Sequence, residues 1–311
     1  MTQLEKTEWM PAIVNALLLF GVLALITGVN FMVDPFALNQ RLDLAIEKRA
    51  VSFKLSYYNW KLAEFKNRPA PVVLFGDSRA NALPADEIAR EIGRPTFNFA
   101  FGGSNGFDAI DAFWFAAGEH RLERVFIGLN ALLLNDHNRV RHTQQALTVL
   151  ESPLRYYISP LVTQATFRVL LYNGFGVKLE TEKPPMSEES FWRYQLATAP
   201  GQMFADYAYP DRLLSELKEV ADYCTKTGIA LTFMILPTHV DLQARRKDFG
   251  IEEDYRRSID ALRKIGRVLD WDYPNSLTRN REKFRDPFHM TPEAALEVAR
   301  DLTSQASRLA R

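Results

Sequence analysis

The sequence predicts an α/β protein: a doubly wound, mainly parallel five-stranded sheet with a helical cap insertion, preceded by one N-terminal transmembrane helix. Three observations predict it. From about residue 71 onward, short continuous apolar runs alternate with amphipathic stretches, as expected of strands buried on both faces by helices. That alternation is interrupted between 136 and about 209 by a segment dense in aromatic residues. Ahead of it all, the stretch from Trp9 to Val33 carries no charged residue.

That apolar stretch, at about 1.5 Å per residue, is long enough to cross a hydrocarbon core of about 30 Å. The residues after it, Asn30-Phe31-Met32-Val33-Asp34-Pro35, hold no small-x-small cleavage site, so residues 1–34 read as a retained anchor rather than a signal peptide. Lys6 precedes the span, whereas Arg41, Lys48 and Arg49 follow it. By the positive-inside rule alone the large domain would be cytoplasmic. Residues 35–70 form a polar, helix-prone connector, with Leu42, Ile46, Phe53 and Leu55 spaced among charged residues and tyrosines.

Residues 71–311 make the main domain. Its expected strands are Val72–Phe75, Thr96–Ala100, Arg124–Gly128, Ala230–Leu236 and Arg267–Trp271. Helices are expected at about 84–92, 107–117, 211–226, 252–265 and 292–309. The last opens with Thr291 as cap and Pro292 in its first turn, and carries Ala295, Ala299, Leu302, Ala306 and Leu309 at helical spacing. The insertion at 136–209, with Tyr156, Tyr157, Phe167, Tyr172, Phe175, Phe191, Trp192 and Tyr194 and the breaker Lys183-Pro184-Pro185, reads as a cap over the active-site edge of the sheet. Its aromatics either line an acceptor groove or hold the cap to the core.

The chain has 311 residues, 47% of them hydrophobic, and 38 basic against 38 acidic side chains. A formal charge of zero provides no field to draw it onto nucleic acid. The single cysteine, Cys224, shares a helix face with Leu213, Leu217 and Val220 and reads as core. His120, His137 and His142 lie among charged residues without metal-ligand spacing, so neither a metal nor a cofactor is expected.

Chemistry concentrates at the carboxyl ends of the expected strands. The first strand runs into Gly76-Asp77-Ser78-Arg79, where glycine permits a tight turn and a helix start places the Ser78 amide and hydroxyl at the edge. The same pattern also describes a plain serine cap. The second strand ends in a glycine-rich turn, Asn98 to Gly106, whose amides suit close approach to a ligand or a loop with positive φ. The third ends in Gly128-Leu129-Asn130, offering a side-chain amide or merely a turn residue. Near the carboxyl end, a loop carrying Asp286-Pro287-Phe288-His289 puts an acid three residues from an imidazole it can orient. Arg79 suits an anionic substrate group or a salt bridge on the helix surface.

Together these blocks resemble the SGNH or GDSL hydrolase superfamily over about residues 71–311. The resemblance implies a flavodoxin-like sheet, with Ser78 as nucleophile, His289 as general base and Asp286 as triad acid. It also implies an oxyanion hole made by the amides of Ser78 and Gly103 and the side chain of Asn130. Gly103 matches by its offset from Asn98, with Gly102 as the adjacent alternative, and Ala131 stands where the family carries aspartate. The anchor followed by Val33-Asp34-Pro35-Phe36, and Leu236-Pro237-Thr238-His239 after the fourth strand, are similar to a bacterial branch of single-span proteins that present the domain outside the cytoplasmic membrane, like the alginate and teichoic-acid acylation accessory proteins. That likeness implies a periplasmic or extracytoplasmic esterase or O-acyltransferase acting on an acylated envelope or extracellular polysaccharide. It gives His239 a substrate contact, with a structural or solvent-exposed role as the alternative, and adds a membrane-bound acyltransferase to the partners beside the lipid bilayer that the apolar span implies. Arg79 is the other candidate substrate-binding residue, from its place beside Ser78. Hydrolysis and acyl transfer share a first half-reaction, and a non-catalytic binding or assembly subunit of an export complex is the rival from another class.

Overall fold

The computed structural model describes residues 3–39, 42, 44–137, 139–179 and 186–307. Arg41, the breaker Lys183-Pro184-Pro185 and Leu309 lie outside them. The chain forms two compact units. One comprises Met1–Asn67 with Gln145–Glu182, the other Arg68–Gln144 with Lys183–Arg311.

The larger unit is the expected α/β domain. Strands β1 (Val72–Phe75), β2 (Thr96–Asn98), β3 (Arg124–Leu129), β4 (Ala230–Ile235) and β5 (Arg267–Asp270) form one parallel sheet in the order β2-β1-β3-β4-β5. This is the doubly wound order, whose direction reverses between β1 and β3 and opens a crevice at their carboxyl ends. Alternate side chains reach opposite faces. On one face Val72, Leu74, Phe126 and Met234 pack with Ala294, Val298 and Leu302 of helix Pro292–Ser307. On the other, Phe75 meets Phe113 of helix Gly106–Glu119 edge-on at 6.1 Å. Burying each of the larger apolar side chains is worth about 1.5–3 kcal/mol. Cys224 is buried in helix Asp211–Thr227, and burial pushes its thiol up to about 12, which removes it as a nucleophile.

The turn after β1 requires glycine. Gly76 has φ +138°, and a Cβ there would lie 2.8 Å from the Gly128 carbonyl oxygen and 2.9 Å from Ala80 Cβ. A Cβ on Gly128 would in turn lie 2.9 Å from Ala80 Cβ. The short helix Ser78–Asn81 therefore settles onto β3 only because both contact points lack side chains.

The structure differs from the sequence reading in two ways. Asp286 and His289 belong not to a loop but to a two-stranded antiparallel hairpin, β6 (Phe284–Asp286) and β7 (His289–Met290). The insertion at 136–209 is also divided between the units. Its helix Glu188–Phe204 belongs to the α/β unit, while helices Pro153–Ile158 and Pro160–Phe175 belong with the N-terminal segment. The reason is chemical: Asp34, in the Val33-Asp34-Pro35-Phe36 turn, accepts hydrogen bonds from the Tyr156 hydroxyl at 2.8 Å and the amides of Leu38 and Asn39 at 3.1 and 2.9 Å. Around that buried carboxylate Phe36, Trp60, Tyr156, Tyr157, Val162 and Ala165 make a core of their own.

In the same unit, helix Gln3–Val33 contains the 25-residue stretch Trp9–Val33, whose most apolar 18 consecutive residues have a mean hydropathy of 2.4, long and apolar enough to cross a membrane. Among the described residues, its packed side chains lie at the carboxyl end. Asn30, 1% exposed, donates to the Tyr157 carbonyl at 2.7 Å and to Thr163 Oγ1 at 2.9 Å.

Candidate active site

The elbow after β1 is organised by Asp77, which is 2% exposed. It caps the helix Ser78–Asn81, with Oδ1 accepting from the Arg79 amide at 3.0 Å. Its Oδ2 accepts from Arg79 Nε at 2.9 Å, Arg79 Nη2 at 2.7 Å and Asn130 Nδ2 at 2.9 Å. One buried carboxylate thus ties the ends of β1 and β3 across the switch point. The loop after β2 is stapled to the same turn, because the Phe101 amide and Ser104 Oγ both donate to the Gly76 carbonyl, at 2.9 and 3.0 Å. Asn98 fastens the other side, donating to the carbonyls of Ala80 and Leu83 at 2.9 and 3.0 Å. Gly103 sits exposed in that loop at φ +71°. Among the described residues, neither its amide nor that of Ser78 has a hydrogen-bond partner.

The hairpin supplies the rest. Asp286 Oδ1 accepts from the amides of Phe288 and His289 at 2.9 and 3.0 Å, closing a tight turn on its own side chain. This brings both carboxylate oxygens to His289 Nδ1, at 2.9 and 2.8 Å. An Nδ1 hydrogen donated to the carboxylate leaves Nε2 as an acceptor, and Ser78 Oγ lies 2.8 Å from it. Ser78, His289 and Asp286, separated by about two hundred positions of chain, therefore form one continuous relay at the mouth of the switch-point crevice.

Three further residues singled out from sequence have other neighbours than expected. Arg79 does not project toward solvent. It is buried, paired with Asp77, with its guanidinium 5.9 Å from the Phe288 ring centroid. Asn130 is also buried; its Nδ2 bonds Asp77, and its Oδ1 accepts from the amides of Leu132 and Leu133 at 2.9 and 3.1 Å. His239 is 5% exposed, its ring edge-on to Trp192 at 4.9 Å and to Phe284 at 5.7 Å. Its backbone amide donates to the Pro287 carbonyl at 3.0 Å, so it braces the hairpin that carries His289. Burial holds its imidazole below the ordinary histidine range, against the opposing pull of Asp241. His142, which lies among charged residues in the sequence, is half-exposed and places Nδ1 3.0 Å from Asp108 Oδ2.

A second buried aspartate escaped the sequence reading. Asp272 lies just past β5 and accepts from the Thr238 amide and hydroxyl at 2.8 and 2.5 Å, Gln243 Nε2 at 3.1 Å, Arg246 Nη1 at 2.7 Å and the Tyr255 hydroxyl at 2.9 Å. It fixes the Leu236-Pro237-Thr238-His239 loop, and through His239 the hairpin. Its one available signal was position, an acid at the carboxyl end of a strand on the same edge as the others.

Burial alone would raise the Asp286 pKa, but the His289 ring and the amides of Phe288 and His289 outweigh it and hold the carboxyl below its usual 3.8. A depressed folded-state pKa means stability that is fully present above the unfolded value of about 3.9 and is lost as pH falls through the lower folded value. Urea unfolding of the wild type and of Asp286→Asn, followed downward from pH 6, should therefore show a stability gap that is constant above about pH 5 and narrows as pH falls below the unfolded value of about 3.9. A gap that widens on acidification would reverse the assigned sign.

No family model matches the chain, and no curated relative does. Among solved structures, it is similar to a candidate acylhydrolase from Bacteroides fragilis, at 14% identity and a TM-score of 0.42, covering 87% of this chain and 100% of that one. It is also similar to a candidate platelet activating factor from Streptococcus pneumonia, at 8% identity and a TM-score of 0.41, covering 82% and 95%. A candidate lipolytic protein of the G-D-S-L family from Desulfitobacterium hafniense aligns at 11% identity and a TM-score of 0.39, covering 75% and 97%. Likeness at this level leaves the chemistry to be read from the site's own geometry.

Proposed function

We propose that this chain is a membrane-anchored serine esterase or O-acyltransferase of SGNH type, acting through an acyl-enzyme on Ser78. The observation that carries this reading is the relay itself: Ser78 Oγ 2.8 Å from His289 Nε2, and His289 Nδ1 2.8 Å from Asp286 Oδ2. As the Ser78 oxygen bonds to an acyl carbonyl carbon, its proton passes to His289 Nε2, and Asp286 stabilises the imidazolium. The oxyanion of the tetrahedral intermediate takes hydrogen bonds from the Ser78 and Gly103 amides. Asn130 acts here chiefly by fixing Asp77, which leaves one of its two amide hydrogens for the same oxyanion. His289 then gives its proton to the departing alkoxide. Water or an acceptor hydroxyl repeats the sequence in reverse, releasing acid or a new ester.

The motif likeness supports acyl groups of an envelope or extracellular polysaccharide as the substrate class, with a membrane-bound acyltransferase as donor-side partner. Retention of the anchor is supported by its last turns: Asn30 and Val33 are part of a packed core, so cleavage behind the span would strip residues the fold uses. The same likeness favours a domain outside the cytoplasmic membrane, which a carboxyl-terminal alkaline phosphatase fusion would report by its activity. The central test is labelling of the native protein by a serine-reactive fluorophosphonate. Labelling is expected in the wild type and lost in Ser78→Ala. An unlabelled wild type would favour the non-catalytic binding subunit.

A further inference from the structure

Helix Pro160–Phe175 is apolar on both of its long faces. Val162, Ala165 and Val169 are buried within their unit. The opposite face exposes Phe167 and Phe175 by 56% and 79%, with Leu170 beside them, where a helix facing water would carry charge. The adjoining helix Pro153–Ile158 leaves Leu154 and Ile158 exposed in the same way. The one charged residue of helix Pro160–Phe175 is Arg168, and among the described residues no carboxylate pairs with it or with the nearby Lys178, whose ammonium lies over the Tyr172 ring.

This surface adjoins the anchor. Both helices pack on the carboxyl end of helix Gln3–Val33, through the Asn30 bonds and through Phe31, whose ring meets Tyr157 edge-on at 5.3 Å. Counted from Trp9, about 20 residues fill a hydrocarbon core and bring the chain out within a turn of Asn30. The exposed aromatic face thus adjoins the end of the span, with Arg168 and Lys178 beside it. We propose that helices Pro153–Ile158 and Pro160–Phe175 are a second membrane element, lying in the bilayer interface and binding phospholipid directly. Their apolar face enters the acyl boundary while Arg168 and Lys178 meet lipid phosphates. This rests on the reading of Trp9–Val33 as a retained anchor. Continuity with that span and apolarity on the outward face favour lipid over a second copy of the chain.

The test uses the full chain with Cys224→Ala and one new cysteine, Phe167→Cys or Phe175→Cys, carrying an environment-sensitive nitrobenzoxadiazole probe. The protein is reconstituted into vesicles of phosphatidylcholine and phosphatidylglycerol, with Leu18→Cys as the probe in the span and Arg193→Cys as the aqueous control. Probes at Phe167 and Phe175 are expected to emit at shorter wavelength than the control, to be quenched by doxyl-labelled lipid and to resist iodide. Adding Arg168→Gln and Lys178→Gln is expected to reduce the lipid quenching at Phe175. If iodide reaches both sites as freely as the control while Leu18 is lipid-quenched, the interfacial element is refuted and the anchor stands. Probes shielded from iodide yet untouched by doxyl lipid would mean that protein covers this face, and would also overturn the proposal. An unquenched Leu18 probe would overturn the anchor, and this proposal with it.

Discussion

His289→Ala is expected to lower kcat toward an activated ester such as p-nitrophenyl acetate by about 10⁶-fold, and Ser78→Ala by as much, while the double variant falls no further. On the proposed reading the two side chains perform one act. Without the imidazole the Ser78 hydroxyl has no acceptor for its proton, and without the hydroxyl the imidazole has nothing to activate. Asp286→Asn should cost less, about 10⁴-fold, because the ring keeps its place but loses the carboxylate that fixes its tautomer and stabilises its charge. Steady-state hydrolysis by the wild type and the four variants, normalised to protein that unfolds cooperatively, decides the matter. Losses that simply multiply in the double variant would show that Ser78 and His289 act separately and that their 2.8 Å contact is incidental.

Asp77→Ala is expected to destabilise the α/β unit by about 3–5 kcal/mol, the range for removing one partner of a buried ion pair. Arg79 would be left with its charge buried and unpaired, and Asn130 with a donor unmet. The deficit comes chiefly from that stranded charge, so Asp77→Ala combined with Arg79→Met should recover much of the loss. Urea midpoints of the detergent-solubilised chain measure both. A single variant within about 1 kcal/mol of wild type, inside the range of an exposed ion pair, would mean that water reaches the pair and that Asp77 does not organise the elbow. Recovery of stability without recovery of fluorophosphonate labelling is the expected result for the double variant, since the apolar replacement leaves the cap on helix Ser78–Asn81 missing.

The parallel sheet was legible because its strands are runs of apolar residues too short to be helices, and the five flanking helices announce themselves by amphipathic spacing. Ser78, Asp286 and His289 were legible because each sits in a short local pattern. What stayed hidden depends on contacts far apart in sequence. Asp34 and Tyr156 lie 122 positions apart, and neither position carries a periodic signal that names the other. Hence the insertion read as one cap, although part of it completes the N-terminal unit. Strands β6 and β7, three and two residues long and containing Arg285 and Asp286, are too brief and too polar to show the alternation of a strand. Arg79 was singled out for its place beside Ser78 and His239 for the likeness of its loop; the partners that bury them, Asp77 and Trp192, come from packing that spacing alone does not encode.

The Asn30 contacts work as a key in a shaft. A lone apolar span turns freely about its long axis in lipid, but one whose amide is locked to Tyr157 and Thr163 cannot rotate without breaking buried bonds. On the proposed reading of Trp9–Val33 as an anchor, its azimuth is therefore set by the body of its unit. Each side of the helix between Trp9 and Ile26 keeps a constant bearing, so any neighbouring span that grips one stripe of it would always meet the N-terminal unit from the same direction.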